Sequence, residues 1–403
     1  MNGLLSFKPT NDDCDFARIA KKQDQMFHRV ATLCPERAEI ITESFKRSEG
    51  QSIVIRRALA LADILEKMTI YIEPDMLIVG NQASANFAAP VFPEYSFNWV
   101  IDELDEFDKR SGDSFRVSES TKARLRALQD YWQGKTHQDE VLANLPQINR
   151  LAEKQGVLHR GGISMSGDGH IIPNHDFVLE VGYGGMRDIA KQHLENDDTL
   201  TDEQKDFYQA VIITMEAALK YCKRFSALAK TEAARVSDAK RRDELLAMSD
   251  MFAHLMEGKA RSFYEAVETV YLTHLLMMIE SNGHSFSFGR FDQYVWPYYE
   301  ADIKAGKISK EKALEILTHF FIMTNSLNKV RPWGHTQYSG GYPLYSNLMV
   351  GGMKPDGSDG TNDLSYLSLE AMALTGLPEP NLSVRFSKDT PHSLMQDAAK
   401  LIR

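Results

Sequence analysis

Three short stretches concentrate groups able to hold or protonate a small polar molecule. The first, ESNGHSFSFGR at 280–290, sets a carboxylate, an amide, an imidazole, three serine hydroxyls and a guanidinium between apolar neighbours. The second is SMSGDGH at 164–170, and the third is HTQYSGGYPLY at 335–345. Each joins glycines, which let backbone approach a ligand closely, to hydroxyls or imidazoles that both donate and accept hydrogen bonds. That combination suits an uncharged substrate bearing hydroxyl groups. His170, His284, Ser285 and Tyr342 are the candidate site residues in these stretches. Spacing alone also fits His170 and His175 as a pair of structural histidines, and both readings stay open at this point.

Other chemistries fit less well. Gly283-His-Ser285-Phe-Ser287 has the outline of a hydrolase nucleophile elbow, but it ends in serine rather than glycine and follows a helical pattern where an elbow needs a strand. No His-Glu-Xaa-Xaa-His or cysteine pair offers metal-ligand spacing, so no metal is expected. Asp356 to Asp363 lacks the ligand spacing and terminal glutamate of a calcium loop and reads as a solvated turn. With 46 basic and 56 acidic side chains the net charge is −10, which opposes nucleic-acid binding. Cys14, Cys34 and Cys222 are scattered, as in a reducing compartment, and the cytoplasm is expected. The apolar run Val270 to Ile279 is too short to cross a membrane and contains His274, and no N-terminal signal is evident.

A chain of 403 residues with 43 % hydrophobic composition can bury a large core. Ala260 to Ile279 reads as one buried helix leading into the 280–290 stretch. Thr201 with Gln204 forms a capping box, followed by an apolar stripe through Phe207, Val211, Met215, Ala218, Cys222 and Phe225 that places Cys222 in the core. The periodicity predicts further helices over Ser52 to Lys67, Ser118 to Trp132, Ala239 to Met256 and Ser309 to Leu327. Phe177 to Val181 reads as strand or helix. Short buried strands are expected at Leu77 to Gly80 and Asn347 to Gly352. A helix over Leu364 to Leu374 and a strand over Leu382 to Phe386 complete a βαβ unit with parallel pairing. Thr390-Pro391 opens a last helix with Leu394, Ala398, Leu401 and Ile402 on its apolar face. No stop signal precedes Arg403, so the chain is expected to continue in the intact protein.

Seven ordered stretches resemble the glycyl radical enzymes, in the pyruvate formate-lyase-like group that includes the cobalamin-independent glycerol and propanediol dehydratases. They are ERAEIITESFKRSEG (36–50), RRALALADILEKM (56–68), LIVGNQ (77–82), APVFPEYSFNWVIDELDEF (89–107), ESNGHSFSFGRFDQYVWPYYE (280–300), GGYPLYSNLMVGG (340–352) and PEPNLSVRFS (378–387). The resemblance implies the helix-rich N-terminal half of a ten-stranded α/β barrel, the first half-barrel wrapped by helices. On it, residues 1–403 form an incomplete pyruvate formate-lyase-type domain, with 1–260 a mainly helical outer layer and 261–403 a helix plus half-barrel strands. It further implies a cysteine that becomes a thiyl radical and a radical-bearing glycine, both beyond the equivalent of Arg403. Cys34-Pro-Glu36 matches the cysteine pattern only formally and lies in a different matching stretch. This chain alone is therefore expected to be inactive.

By the same resemblance His170 matches the acid that protonates a departing hydroxyl, while His284 and Ser285 match residues holding substrate hydroxyls. Tyr342 is expected to bind substrate as well. Glu280 and Arg290 read as structural supports of their loop. No bound cofactor is implied, only a protein-based glycyl radical installed by a radical-SAM activating enzyme. The expected partners are that activase, a small hydroxylated substrate, a second copy in a homodimer, and the missing C-terminal half. Phe286 to Gly289 and the loop 328–339, with Trp333 and His335, depart from the glycerol-type pattern. Substrate identity is therefore open among diols, larger polyols and cyclic sugar derivatives. Carbon–carbon cleavage of an acyl substrate is the alternative reaction, and a non-catalytic half-barrel subunit the alternative role.

Overall fold

The computed structural model describes residues 14–158, 169–256, 258–340, 342 and 344–402. Two helices form its dry interior. Phe263–Ser281 is apolar on nearly every side, and Lys310–Ser326 is continuously buried from Ala313 to Asn325, as helices enclosed by other elements must be. Around them pack the long helices Ile53–Lys67, His175–Asn196, Asp202–Ala233 and Ala239–Leu255. Their starts follow the sequence signals: the side chains of Ser52, Thr201, Asp238 and Ser309 each accept a backbone N–H in the first turn of the helix they precede. The capping box at Thr201 and Gln204 is present, and Cys222 is buried.

The described residues contain five short strands in two parallel sheets. β1 (Thr32–Cys34) pairs with β2 (Ala88–Pro90). In the second sheet β4 (Asn347–Gly351) lies between β3 (Gly289–Arg290) and β5 (Asn381–Arg385), with Leu348 opposite both Gly289 and Leu382. The helix Asp363–Thr375 carries the chain from β4 to β5, giving the expected βαβ unit.

Three expectations need correction or sharpening. Leu77 to Gly80 is not a strand. Its N–H groups go instead to side chains of the two central helices: Leu77 N donates to His319 Nδ1 (3.0 Å) and Val79 N to the Glu268 carboxylate (3.1 Å). Gly80 adopts φ +141, and a Cβ there would stand 2.6 Å from Leu275 Cδ2, so the segment lies flat on the helix surface. The span Ser118 to Trp132 divides into Glu119–Arg126 and Gln129–Trp132, because Leu128 N turns back to Leu125 O. Phe177 to Val181 belongs to a helix, His175–Asn196, kinked at Gly182 where the chain passes close to Gly258 O. Among the described residues no helix is long and apolar enough to cross a membrane.

Two fully buried histidines fasten the interior to the second sheet. His274, inside the Phe263–Ser281 helix, stacks on Phe288 at 4.5 Å, and its Nε2 lies 3.4 Å from Ser346 Oγ. His175 stacks on Tyr294 at 5.1 Å. Burial holds the His274 imidazole down to about 3, helped by the neighbouring His175, and burial alone holds His175 down to about 4. Each is neutral when folded but would take a proton below pH 6.5 once exposed. Their stabilising contribution is therefore complete above about pH 6.5 and is lost as pH falls towards the folded values. Denaturant unfolding between pH 6.5 and 4 should lose about 1.4 kcal/mol per pH unit for each of them. His274→Phe should make that decline shallower by one such increment, and an unaltered slope would show that His274 is not held neutral.

Candidate active site

The site grows from the end of the Phe263–Ser281 helix. The helix closes at Asn282, whose backbone is left-handed (φ 54), and its last carbonyls are met by cations from distant segments. Arg37 Nε donates to Ile279 O (2.7 Å) and its Nη2 to Glu280 O (3.1 Å), while Lys329 Nζ donates to Asn282 O (2.8 Å). Arg57 forms an ion pair with the Glu280 carboxylate and donates to Tyr95 Oη at 2.7 Å. Arg290 donates to Gly351 O (2.7 Å) at the end of β4 and to Met353 O (2.6 Å) just beyond it. The side chains of Glu280 and Arg290 are thus spent on anchoring the loop.

Between those anchors the loop turns around Phe286, which is 2 % exposed. A Cβ on Gly283 would fall within the Phe286 ring, and one on Gly169 would come within 2.9 Å of it. These two glycines therefore make room for a ring that sits under both polar stretches. Ser287 N donates to Ile171 O (2.9 Å), Ser285 N to Leu344 O (2.7 Å), and Phe288 N to Asn347 O (2.7 Å). Backbone bonds from this loop thus reach the third stretch at Leu344 and the residue that follows the second, Ile171. Ser164 to Asp168 of the second stretch, and Gly341 and Pro343 of the third, lie outside the described residues.

The side chains above Phe286 form a compact group. The His170 and His284 rings meet edge to face at 5.6 Å, and Ser285 Oγ lies 3.3 Å from His284 Nδ1. His170 is exposed, while His284 and Ser285 are half-buried. Two imidazoles and a hydroxyl in this arrangement can grip adjacent hydroxyl groups and pass a proton to one of them. Tyr342 has different neighbours. Its hydroxyl donates to Ser114 O (2.7 Å), and its ring meets Phe87 at 5.1 Å and Phe115 at 5.6 Å. The tyrosine whose ring meets His284, at 5.1 Å, is Tyr345. Both lie in one turn-rich stretch, and nothing in their spacing tells which faces the histidines.

Sequence reasoning also missed Glu379. Its buried carboxylate accepts three successive amides, Leu344 N (3.1 Å), Tyr345 N (2.7 Å) and Ser346 N (2.8 Å). Burial pushes this carboxyl up, against the pull of the amide hydrogen bonds. Asn325 holds the glutamate in turn, receiving Glu379 N at 3.1 Å. The clamp sustains a strained backbone. Among the described residues seven non-glycines have left-handed φ, and Asn282, Ser285, Tyr342 and Tyr345 of the two site loops are four of them. Each such residue costs about 1–2 kcal/mol and persists only where its surroundings enforce it.

The family model described as pyruvate formate lyase-like matches residues 10–403. Among curated relatives, the probable dehydratase YbiW of Escherichia coli (strain K12) is 36 % identical over 394 residues, covering 96 % of this chain and 49 % of the relative. The (2S)-3-sulfopropanediol dehydratase of Klebsiella oxytoca is 31 % identical over 397 residues, covering 96 % of this chain and 48 % of the relative. Among solved structures, the glycerol-bound B12-independent glycerol dehydratase from Clostridium butyricum superposes with a TM-score of 0.92 at 40 % identity. That match covers 96 % of this chain and 49 % of the dehydratase chain. A glycyl radical enzyme from Archaeoglobus fulgidus gives 0.89 at 31 % identity, covering 96 % of this chain and 50 % of the other. The chain spans about half the length of the curated relatives it matches, and its fold is that of the N-terminal halves of glycyl radical enzymes.

The Glu379 clamp makes a direct prediction. Glu379→Gln should lower the unfolding free energy by about 2–4 kcal/mol in denaturant titrations, because a donor would face buried amides that need acceptors. A loss below about 1 kcal/mol would mean that the three amides find other partners.

Proposed function

The chain belongs to the pyruvate formate lyase-like family, and from that membership we propose that it forms the N-terminal portion of a glycyl radical enzyme that dehydrates a small diol or polyol to an aldehyde or ketone. The observation that carries the reading is the meeting of His170, His284 and Ser285 above Phe286, drawn together from two stretches more than a hundred residues apart. The named relatives support it at the level of reaction, since they include dehydratases of sulfopropanediol and glycerol.

In this proposal His284 and Ser285 hold two neighbouring hydroxyls, and His170 gives a proton to the one that leaves. The leaving group departs as water, which makes breaking the C–O bond far easier than expelling hydroxide. The protein radical, carried by sequence outside these 403 residues and installed by a radical-SAM activating enzyme, supplies removal and return of one hydrogen atom, and a carboxylate base from the same outside sequence takes the proton of the retained hydroxyl as it becomes the carbonyl. What this half contributes is orientation of the diol, the proton, and a wall that keeps water from the reacting carbons. Assembly with the C-terminal half and pairing of two such units are further parts of the proposal.

The test uses the full-length protein activated anaerobically. A glycyl doublet in its EPR spectrum, with carbonyl product formed from propane-1,2-diol or glycerol, is the expected result. Formate released from pyruvate, with no product from any diol, would overturn the dehydratase reading. His170→Ala should keep the EPR doublet while turnover falls by roughly two to four orders of magnitude, the range for a lost general acid. Wild-type turnover in that variant would remove His170 from the site.

A further inference from the structure

We infer that this chain carries a second ligand site, a cavity on the Arg57 side of the Arg57–Glu280 ion pair that takes a small organic carboxylate with a flat apolar body. The cavity holds about 580 Å³, within the usual range for small-molecule sites, and none of its lining residues belongs to the His170, His284 and Ser285 group. It lies where the helix Glu36–Arg47 ends, the helix Ile53–Lys67 begins and the short helix Gln129–Trp132 packs against the first of them. Its walls are held by contacts already in place. Trp132 Nε1 donates to Thr42 Oγ1 (2.7 Å), and the Trp132 ring meets Phe45 at 5.5 Å. The turn that carries Tyr95 is tied down by His137 N, which donates to Glu94 O, and by Gln138 N, which donates to Tyr95 O, both at 2.9 Å.

Three cations line the cavity, and each rests on an aromatic ring: Arg56 on Phe45 at 4.4 Å, Arg57 on Tyr95 at 5.3 Å and Lys135 on Tyr131 at 4.4 Å. A ring face positions a cation and leaves its charge in place, whereas a carboxylate cancels it. Glu280 cancels Arg57. Lys135 stands 3.9 Å from Glu49, and both side chains are exposed, so that pair is weak. Arg56 has no carboxylate partner among the described residues. It donates to Phe45 O at 3.1 Å, and its buried Nε finds no acceptor. The charge of Arg56, seconded by Lys135, is what the cavity leaves unanswered. The acids of the lining set the limit on what answers it. Glu94 is spent on Arg37, but Glu49 and Glu140 are exposed and repel a doubly charged anion. A single carboxylate therefore fits better than a phosphate, and the half-buried rings of Tyr95 and Tyr131 suit a flat apolar body.

The test titrates benzoate into the full-length protein by calorimetry, beside benzyl alcohol and inorganic phosphate. Benzoate should bind once per chain, about tenfold or more tighter than either of the others. Excess propane-1,2-diol should leave its Kd unchanged, because the two sites share no residue. Arg56→Gln should weaken benzoate by about tenfold or more, the usual effect of losing a hydrogen bond to a charged group, with no change for benzyl alcohol. Arg56→Lys keeps the charge without the planar fork and should lose less. Lys135→Gln alters an exposed side chain and should weaken benzoate by about twofold to fivefold, which keeps the site testable if the Arg56 variants misfold. Any one of four results overturns the site: no benzoate binding to the folded full-length protein, an unaltered Kd in both glutamine variants, displacement by propane-1,2-diol, or tighter binding of phosphate. None of them bears on the dehydratase reading, which the EPR and product measurements decide.

Discussion

The Phe263–Ser281 helix is too apolar to lie at the surface, yet it ends beside a site that must be polar. Its last carbonyls have no helical partners, and leaving such groups buried and unpaired costs about 1–3 kcal/mol each. Arg37 and Lys329 meet them directly. These cations then need anions of their own. Glu94 pairs with Arg37 where both side chains are 4 % exposed, and Glu280, on the helix itself, pairs with Arg57. Removing one member of a buried pair leaves an uncompensated charge and costs about 3–5 kcal/mol. The helix end is therefore clamped by residues from near position 37 to position 329, and the loop after it has a fixed starting point.

From that point the polar groups are arranged through a single ring. Phe286 lies beneath Gly169 and Gly283, and a side chain at either glycine would collide with it. The same contact that buries Phe286 thus sets the separation of His170 and His284. Glycine in these loops serves packing between protein segments, a narrower role than the close approach to ligand that composition suggests. On the far side Glu379 does for the 344–346 turn what Arg37 does for the helix end, gathering backbone groups that no regular element satisfies. Strain in the two loops and charge beneath them are complementary. Of the left-handed residues, Tyr342 and Tyr345 have their amides fixed by carboxylates, Asp113 and Glu379, while the amides of Asn282 and Ser285 go to the backbone carbonyls of Met278 and Leu344.

Much of this was legible in the sequence where local rules decide. Caps at Ser52, Thr201 and Ser309 placed helices to within a residue or two, and the βαβ unit of β4 and β5 followed from its pattern. Leu77 to Gly80 failed because its composition is that of a strand while its partners are side chains, His319 and Glu268, more than a hundred residues away. The different settings of Tyr342 and Tyr345 were illegible for a related reason. Both have left-handed backbones in one turn-rich stretch, and the residue that separates them, Glu379, sits over thirty positions further on. Distant single contacts of this kind leave no periodicity to read.

The histidines show how burial sorts roles that spacing leaves mixed. His170 and His175 are five positions apart, and either could be a proton donor on sequence grounds. His175 sits between aromatic rings in a dry interior, and His274 does the same one helix away, so neither takes a proton near neutral pH. A group that cannot be charged there cannot be the acid that turns a hydroxyl into a leaving group. His170 is exposed, its ring edge-to-face against His284 rather than sealed between apolar faces. Of the two histidines only His170 lies beside the other polar groups of the candidate site. The buried pair is then free to do what the fold needs of it, holding the Phe263–Ser281 helix against Phe288, Tyr294 and Ser346, from which the site is built.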